Sequence, residues 1–152
     1  MQVADIMTSA SVTDSPNDSL RSAAETMWKQ QTGSLLVMSG ERLVGIITER
    51  DVMKAVARGR DMDATTVAEI MTADVMTVEP ATSPHEAARA MASRWIRHLP
   101  VVDAGKVVGV VSQRDLVGVF AALVQSGDGA TLSSDALVRE QRLARIEHGD
   151  LD

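Results

Sequence analysis

The chain switches between helical and strand-like hydrophobic periods in an order that occurs twice. Ala23, Ala24 and Met27 recur at three- and four-residue spacing, which predicts an amphipathic helix starting near Asp18 or Ser19. Leu35-Leu36-Val37-Met38 is a short continuous apolar run that suits a buried strand. Ser39-Gly40-Glu41 supplies a turn, Leu43 to Ile47 a second strand and hence a hairpin, and Thr48 to about Arg58 a closing helix. The same order returns downstream. Ser83-Pro84-His85-Glu86 combines a hydroxyl N-cap, a proline at the first helical position and a glutamate three residues after the cap. The helix it opens runs to about Trp95, with Ala87, Ala88 and Met91 on one face. Leu99-Pro100-Val101-Val102, the turn Asp103-Ala104-Gly105, the strand Val107 to Val111 and a helix from Ser112 to about Val124 follow. With short lead-in strands expected around Ser11 to Thr13 and Val75 to Val78, the order is β-α-β-β-α, twice.

Sliding the chain against itself by 64 residues makes this a duplication. Val3-Ala4-Asp5-Ile6-Met7-Thr8 falls on Val67-Ala68-Glu69-Ile70-Met71-Thr72, and the match continues without a gap to Val56 opposite Phe120, with 17 identities over 54 positions. A period this long, present twice, describes two supersecondary units rather than a solenoid. The expected fold is α/β (α+β), with repeat 1 and its connector at 1–62, repeat 2 at 63–125 and a charged C-terminal tail at 126–152. One repeat of roughly 50 residues is marginal alone, so the two are expected to pack about a pseudo-twofold axis. Clefts between the repeats are the natural place for a ligand. Gly59 is a plausible helix stop in the connector. In the tail, Leu132 to His148 has no clean apolar stripe and reads either as a docked partner-binding helix or as a frayed end.

Composition narrows the class. Phe120 and two tryptophans are the only aromatics, so the core must be aliphatic and methionine-rich. The lack of cysteine removes disulfide frameworks and thiolate metal sites and fits a reducing, cytoplasmic setting. No stretch approaches the roughly 20 apolar residues of a membrane span, and the start does not read as a signal peptide. A net charge of −6 argues against sequence-independent nucleic-acid binding, though a local basic cluster can still hold a small anion.

The candidate chemistry lies at the end of each hairpin, in Gly45-Ile46-Ile47-Thr48-Glu49-Arg50-Asp51 and Gly109-Val110-Val111-Ser112-Gln113-Arg114-Asp115. A hydroxyl residue followed three places later by an aspartate has the spacing of a helix-capping arrangement, and for one copy that explanation suffices. The same turn also suits a sugar phosphate. A helix N-terminus and the Thr48 or Ser112 hydroxyl can donate to phosphate. Asp51 or Asp115 can accept from two ribose hydroxyls, and Arg50 or Arg114 adds positive charge. Its occurrence at matched positions favours function. The histidines have no zinc-ligand spacing. His85 reads as solvated, His148 stands alone in the tail, and Met27 and Met91 read as core. Trp28 and Trp95 are not repeat-matched, so they share no ligand role.

The duplicated order, the Ile-Met-Thr lead-ins and the paired Gly-x-x-Thr/Ser-x-x-Asp turns resemble a pair of cystathionine-β-synthase (CBS) domains, a Bateman module, from Val3 to about Val124. The resemblance implies binding of AMP, ADP, ATP, S-adenosylmethionine or a related adenosine ligand between the repeats, with no catalytic cofactor. It assigns Asp51 and Asp115 to ribose, and Thr48 and Ser112 to phosphate. Ser9 to Val12, with Ser11, and Ala73 to Met76, with Val75, would flank the adenine. Arg97-His98 before Leu99-Pro100 matches a basic pair that reaches phosphates, whereas the first repeat has Gly33-Ser34 there, so the sites are expected to be unequal. The family also implies a homodimer. The expected function is a non-enzymatic sensor module. The alternative is a dimerisation scaffold with vestigial clefts, whose tail binds a protein partner. No Ser–His–Asp set, P-loop or metal cluster supports an enzyme.

Overall fold

The computed structural model describes residues 1–9 and 13–125. Ser11 and the tail from residue 126 lie outside the described residues. The chain divides into two compact units that do not follow the sequence repeats. The first-repeat unit comprises Ser9–Thr77 and Val102–Val108. The second-repeat unit comprises Met1–Thr8, Val78–Val101 and residues 109–125. Each takes the body of one repeat and the Ile-Met-Thr lead-in of the other.

In the first-repeat unit, β1 (Thr13–Asp14) pairs in parallel with β2 (Ser34–Ser39), which pairs antiparallel with β3 (Arg42–Thr48). The hairpin turn uses Gly40 at φ 63°, a left-handed conformation that glycine adopts without penalty. Helix α1 (Leu20–Gln30) begins where the sequence predicts, with Ser19 Oγ accepting from the Ser22 N–H at 3.1 Å. It ends at Gln31 in the left-handed region. Helix α2 (Glu49–Ala57) follows β3 directly. Leu20, Ala23, Met27, Leu35, Val37, Ile47, Ala55 and Val67 form the core, aliphatic as expected, with Met62 and Met71 packed partly buried against it.

A one-turn helix, α3 (Val67–Ile70), was not legible in the pattern, because four residues cannot display a 3.6-residue period. Thr66 and Glu69 cap it, and Val67 is fully buried in the core. Its repeat counterpart, Val3–Asp5, is a 3-10 turn in the second-repeat unit.

The second-repeat unit carries α4 (Pro84–Arg94), with the expected reciprocal bonds between Ser83 and Glu86. Strands β4 (His98–Asp103) and β5 (Lys106–Ser112) pair as a two-stranded sheet, whose tip Val102–Val108 counts with the first-repeat unit, and α5 (Gln113–Gln125) follows. Ala87, Met91, Leu99, Val101, Val111 and Leu116 are buried. The lead-in strand expected around Val75 to Val78 is corrected: only a single parallel bridge, Val78 to Val101, forms there. The residue opposite Leu36 in the repeat alignment is Pro100. It accepts from the Val78 N–H at 3.0 Å but has no N–H to return, so the ladder stops.

The exchanged lead-ins dock on the two repeat-matched glycines of the hairpins. Thr72 pairs with Ile46 through two bonds of 3.0 Å, and Thr8 pairs with Val110 through two of 2.9 Å. This brings Met71 over Gly45 and Met7 over Gly109. A Cβ at Gly45 would lie 2.5 Å from Met71 Sδ, and one at Gly109 would lie 2.6 Å from Met7 Sδ. The glycines leave room for the thioethers.

Candidate functional site

The capping arrangement predicted from spacing is present at both hairpin ends. The Thr48 N–H donates to Asp51 Oδ2 at 2.8 Å, the Thr48 hydroxyl donates to the same oxygen at 3.0 Å, and the Asp51 N–H donates back to Thr48 Oγ1 at 3.3 Å. At α5 the corresponding distances between Ser112 and Asp115 are 2.7, 2.7 and 3.3 Å. Both aspartates are half-buried, with Oδ2 committed to the cap.

The next helix N–H is also engaged. The Glu49 N–H donates to the Gly33 carbonyl at 3.0 Å, and the Gln113 N–H donates to the Arg97 carbonyl at 2.8 Å. Thr48, Glu49 and Asp51, like Ser112, Gln113 and Asp115, thus have their backbone donors satisfied within the protein. The helix starts offer an anion fewer backbone donors than the sequence alone suggests. Positive charge for an anion must come mainly from side chains.

The sequence-singled residues separate by unit. Thr48, Arg50, Asp51 and Val75 belong to the first-repeat unit, and Arg97, His98, Ser112, Arg114 and Asp115 to the second. The Arg97 carbonyl bond holds the backbone of the Arg97-His98 pair at the start of α5. Arg50, Arg97 and Arg114 are exposed, while His98 and Val75 are half-buried. The matching position at α2 is Gly33, so that start has no basic pair beside it. His85 is exposed and Met27 and Met91 are buried, as expected.

Sequence reasoning missed the contribution of Ile6. It lines an open groove of about 480 Å³ in the second-repeat unit, together with Met1, Asp115, Gly118, Val119, Ala122 and Leu123. The groove is mostly apolar, with Asp115 as its acidic side chain. The signal was the Ile-Met-Thr lead-in itself, but no local pattern says that it docks on the other repeat's hairpin. Among the described residues no cluster of three metal-ligating side chains occurs, and no helix is long and apolar enough to cross a membrane.

Comparison with known proteins fits this geometry. The CBS domain family model matches residues 3–58 and 67–122. The CBS domain-containing protein YhcV of Bacillus subtilis (strain 168) is 36% identical over 115 residues, covering 75% of this chain and 81% of that protein. The solved CBS domain structure NE2398 superposes with a TM-score of 0.73 at 36% identity, covering 78% of this chain and 95% of the other. The CBS domain pair of protein MJ0100, solved with 5′-methylthioadenosine and S-adenosyl-L-methionine, gives a TM-score of 0.75 at 32% identity over 80% of this chain and 97% of that one. With two matched domains, the chain belongs to the CBS domain family and is a CBS-pair regulatory module.

Proposed function

We propose that the protein is a non-catalytic cytoplasmic sensor that binds an adenosine-containing ligand, AMP, ADP, ATP or S-adenosylmethionine, at the starts of α2 and α5. The observation that carries the reading is the hydroxyl–Arg–Asp turn, present in both repeats with the same bonding. Capping takes Oδ2 of Asp51 and of Asp115, so Oδ1 is the oxygen to which vicinal ribose hydroxyls donate. Arg97 and Arg114 supply charge for phosphate in the second-repeat unit, with His98 and Ser112 as further polar contacts. Arg50 and Thr48 do so in the first. Val75 and Ser11 belong to the segments assigned to adenine. The MJ0100 pair, solved with two adenosine derivatives, supports the ligand class.

The two sites are unequal in this reading. Phosphorylated ligands favour the unit with Arg97-His98, and the other suits a less anionic adenosine derivative. A ligand at a hundred times its Kd adds about 2.7 kcal/mol of stability. Melting should then shift upward on the order of 5–10 °C for a domain of this size. Calorimetric titration of the four ligands is expected to show unequal sites, with D115N weakening the one preferred by ATP and D51N the other. Folded protein that binds none of the four would overturn the proposal. Two equal, independent ATP sites would overturn the inequality.

A homodimer accompanies this reading. Met53 and Val56 on α2 are 66% and 58% exposed, and Val117, the counterpart of Met53 on α5, is 59% exposed. Duplication has kept apolar residues at positions that the monomer leaves to solvent.

A further inference from the structure

The duplication supplies an internal control for every buried position, and Asp14 departs from it. Asp14, in β1, lies opposite Val78 in the 64-residue alignment and is only 9% exposed. A valine suits a buried strand position paired with Val37, and a carboxylic acid does not. Packing therefore does not account for it. Asp14 Oδ1 accepts from the Ser15 N–H at 3.0 Å, while its Oδ2 is buried without a hydrogen-bond partner. The same Ser15 N–H donates to Asp18 Oδ2 at 2.9 Å. Two carboxyl groups thus converge on one donor, an arrangement in which both cannot be ionised cheaply. The counterpart of Asp18 is Thr82, so the acidic pair belongs to the first repeat alone.

We infer that Asp14 keeps its proton while Asp18 is ionised, and that this proton sets how firmly β1 docks on β2, making the first-repeat unit sensitive to acidity. Burial pushes the Asp14 carboxyl up to about 7, and the hydrogen bond and negative charge of Asp18 act in the same direction, against the Ser15 N–H. Asp18 is held below its ordinary value, chiefly by the hydrogen bond from Asp14. The proton therefore resides on Asp14, while Asp18, which shares the Ser15 N–H, is ionised. Leu36 and Val37 are the β2 partners of β1, and the following turn contributes Asp18, the charged group that acts on Asp14 among the described residues.

The sign follows from linkage. The folded state holds a proton that the unfolded chain releases near pH 4. The stabilisation is complete below that pH, declines as pH rises towards about 7, and is lost above it. Asp18 titrates beneath this window and does not offset the loss.

The test measures melting between pH 5 and pH 8 for the full chain, D14N and D14V, together with the carboxyl-carbon NMR titration of Asp14. D14V introduces the residue that the second repeat carries at this position. The wild type is expected to lose on the order of 5 °C relative to both variants across the window, and Asp14 to titrate near neutrality. An Asp14 midpoint below 5, or parallel melting profiles for all three proteins, would sink the proposal. If the nucleotide reading also holds, AMP and S-adenosylmethionine bind the first-repeat unit several-fold more weakly at pH 8 than at pH 6 in the wild type but not in D14N. That consequence rests on the ligand proposal. Absence of binding at both pH values, with the Asp14 titration as expected, counts against the ligand site and leaves the Asp14 proton in place.

Discussion

A Cβ at Gly45 would meet the flexible Met71 side chain and also the Thr72 carbonyl oxygen at 3.0 Å. At Gly109 the Thr8 carbonyl lies closer still, at 2.8 Å. A thioether can swing aside, but a backbone carbonyl held in a two-bond bridge cannot. Gly45→Ala and Gly109→Ala should each destabilise by about 1–3 kcal/mol, with Gly109→Ala the worse of the two. Gly118, in helix α5, meets nothing within 4 Å, so Gly118→Ala should instead stabilise by up to about 1 kcal/mol. Urea denaturation of the three variants checks the order. Equal effects would show that the methionine contact does not constrain the glycines. At the same scale the hydroxyl–Asp turns were fully legible, because capping depends on residues three apart. What those turns leave for a ligand was not legible, since the carbonyls of Gly33 and Arg97 come from outside the motif.

At the scale of elements, the four longer helices and both hairpins could be read from periodicity, caps and turn residues. The misses have local physical causes. Helix α3 is too short to show a period, and the strand before Pro80 fails because Pro100 cannot return a hydrogen bond. The exchange of lead-ins was the largest miss, because it is a tertiary choice that no window of the sequence contains. It has a direct consequence for dissection. A fragment ending at residue 62 lacks Val67 and Met71, which the first-repeat core uses. Residues 9–77 should therefore melt cooperatively at a higher temperature than residues 1–62 by circular dichroism. The reverse order would contradict the unit boundaries.

At the scale of the whole molecule, the proposed function joins ligand binding at the duplicated turns to self-association through the exposed apolar residues on α2 and α5. If the proposed homodimer uses these residues, Met53→Glu combined with Val117→Glu should shift it from dimer to monomer in sedimentation experiments, with little change in monomer stability because both positions are exposed. An unchanged dimer would move the interface elsewhere. Nothing in the sequence pattern separated these residues from core, since an apolar stripe looks alike whether it meets its own protein or another copy.

The exchanged lead-ins also impose an order of assembly during synthesis. Met71 reaches Gly45 across 71 − 45 = 26 residues, whereas Met7 reaches Gly109 across 109 − 7 = 102. Closing the longer loop costs about 1 kcal/mol more in chain entropy. It must also wait until β5 has left the ribosome. The lead-in of the first repeat is thus made before β5 yet docks only after it, and until it does, Val3 and Met7 travel as an exposed apolar segment.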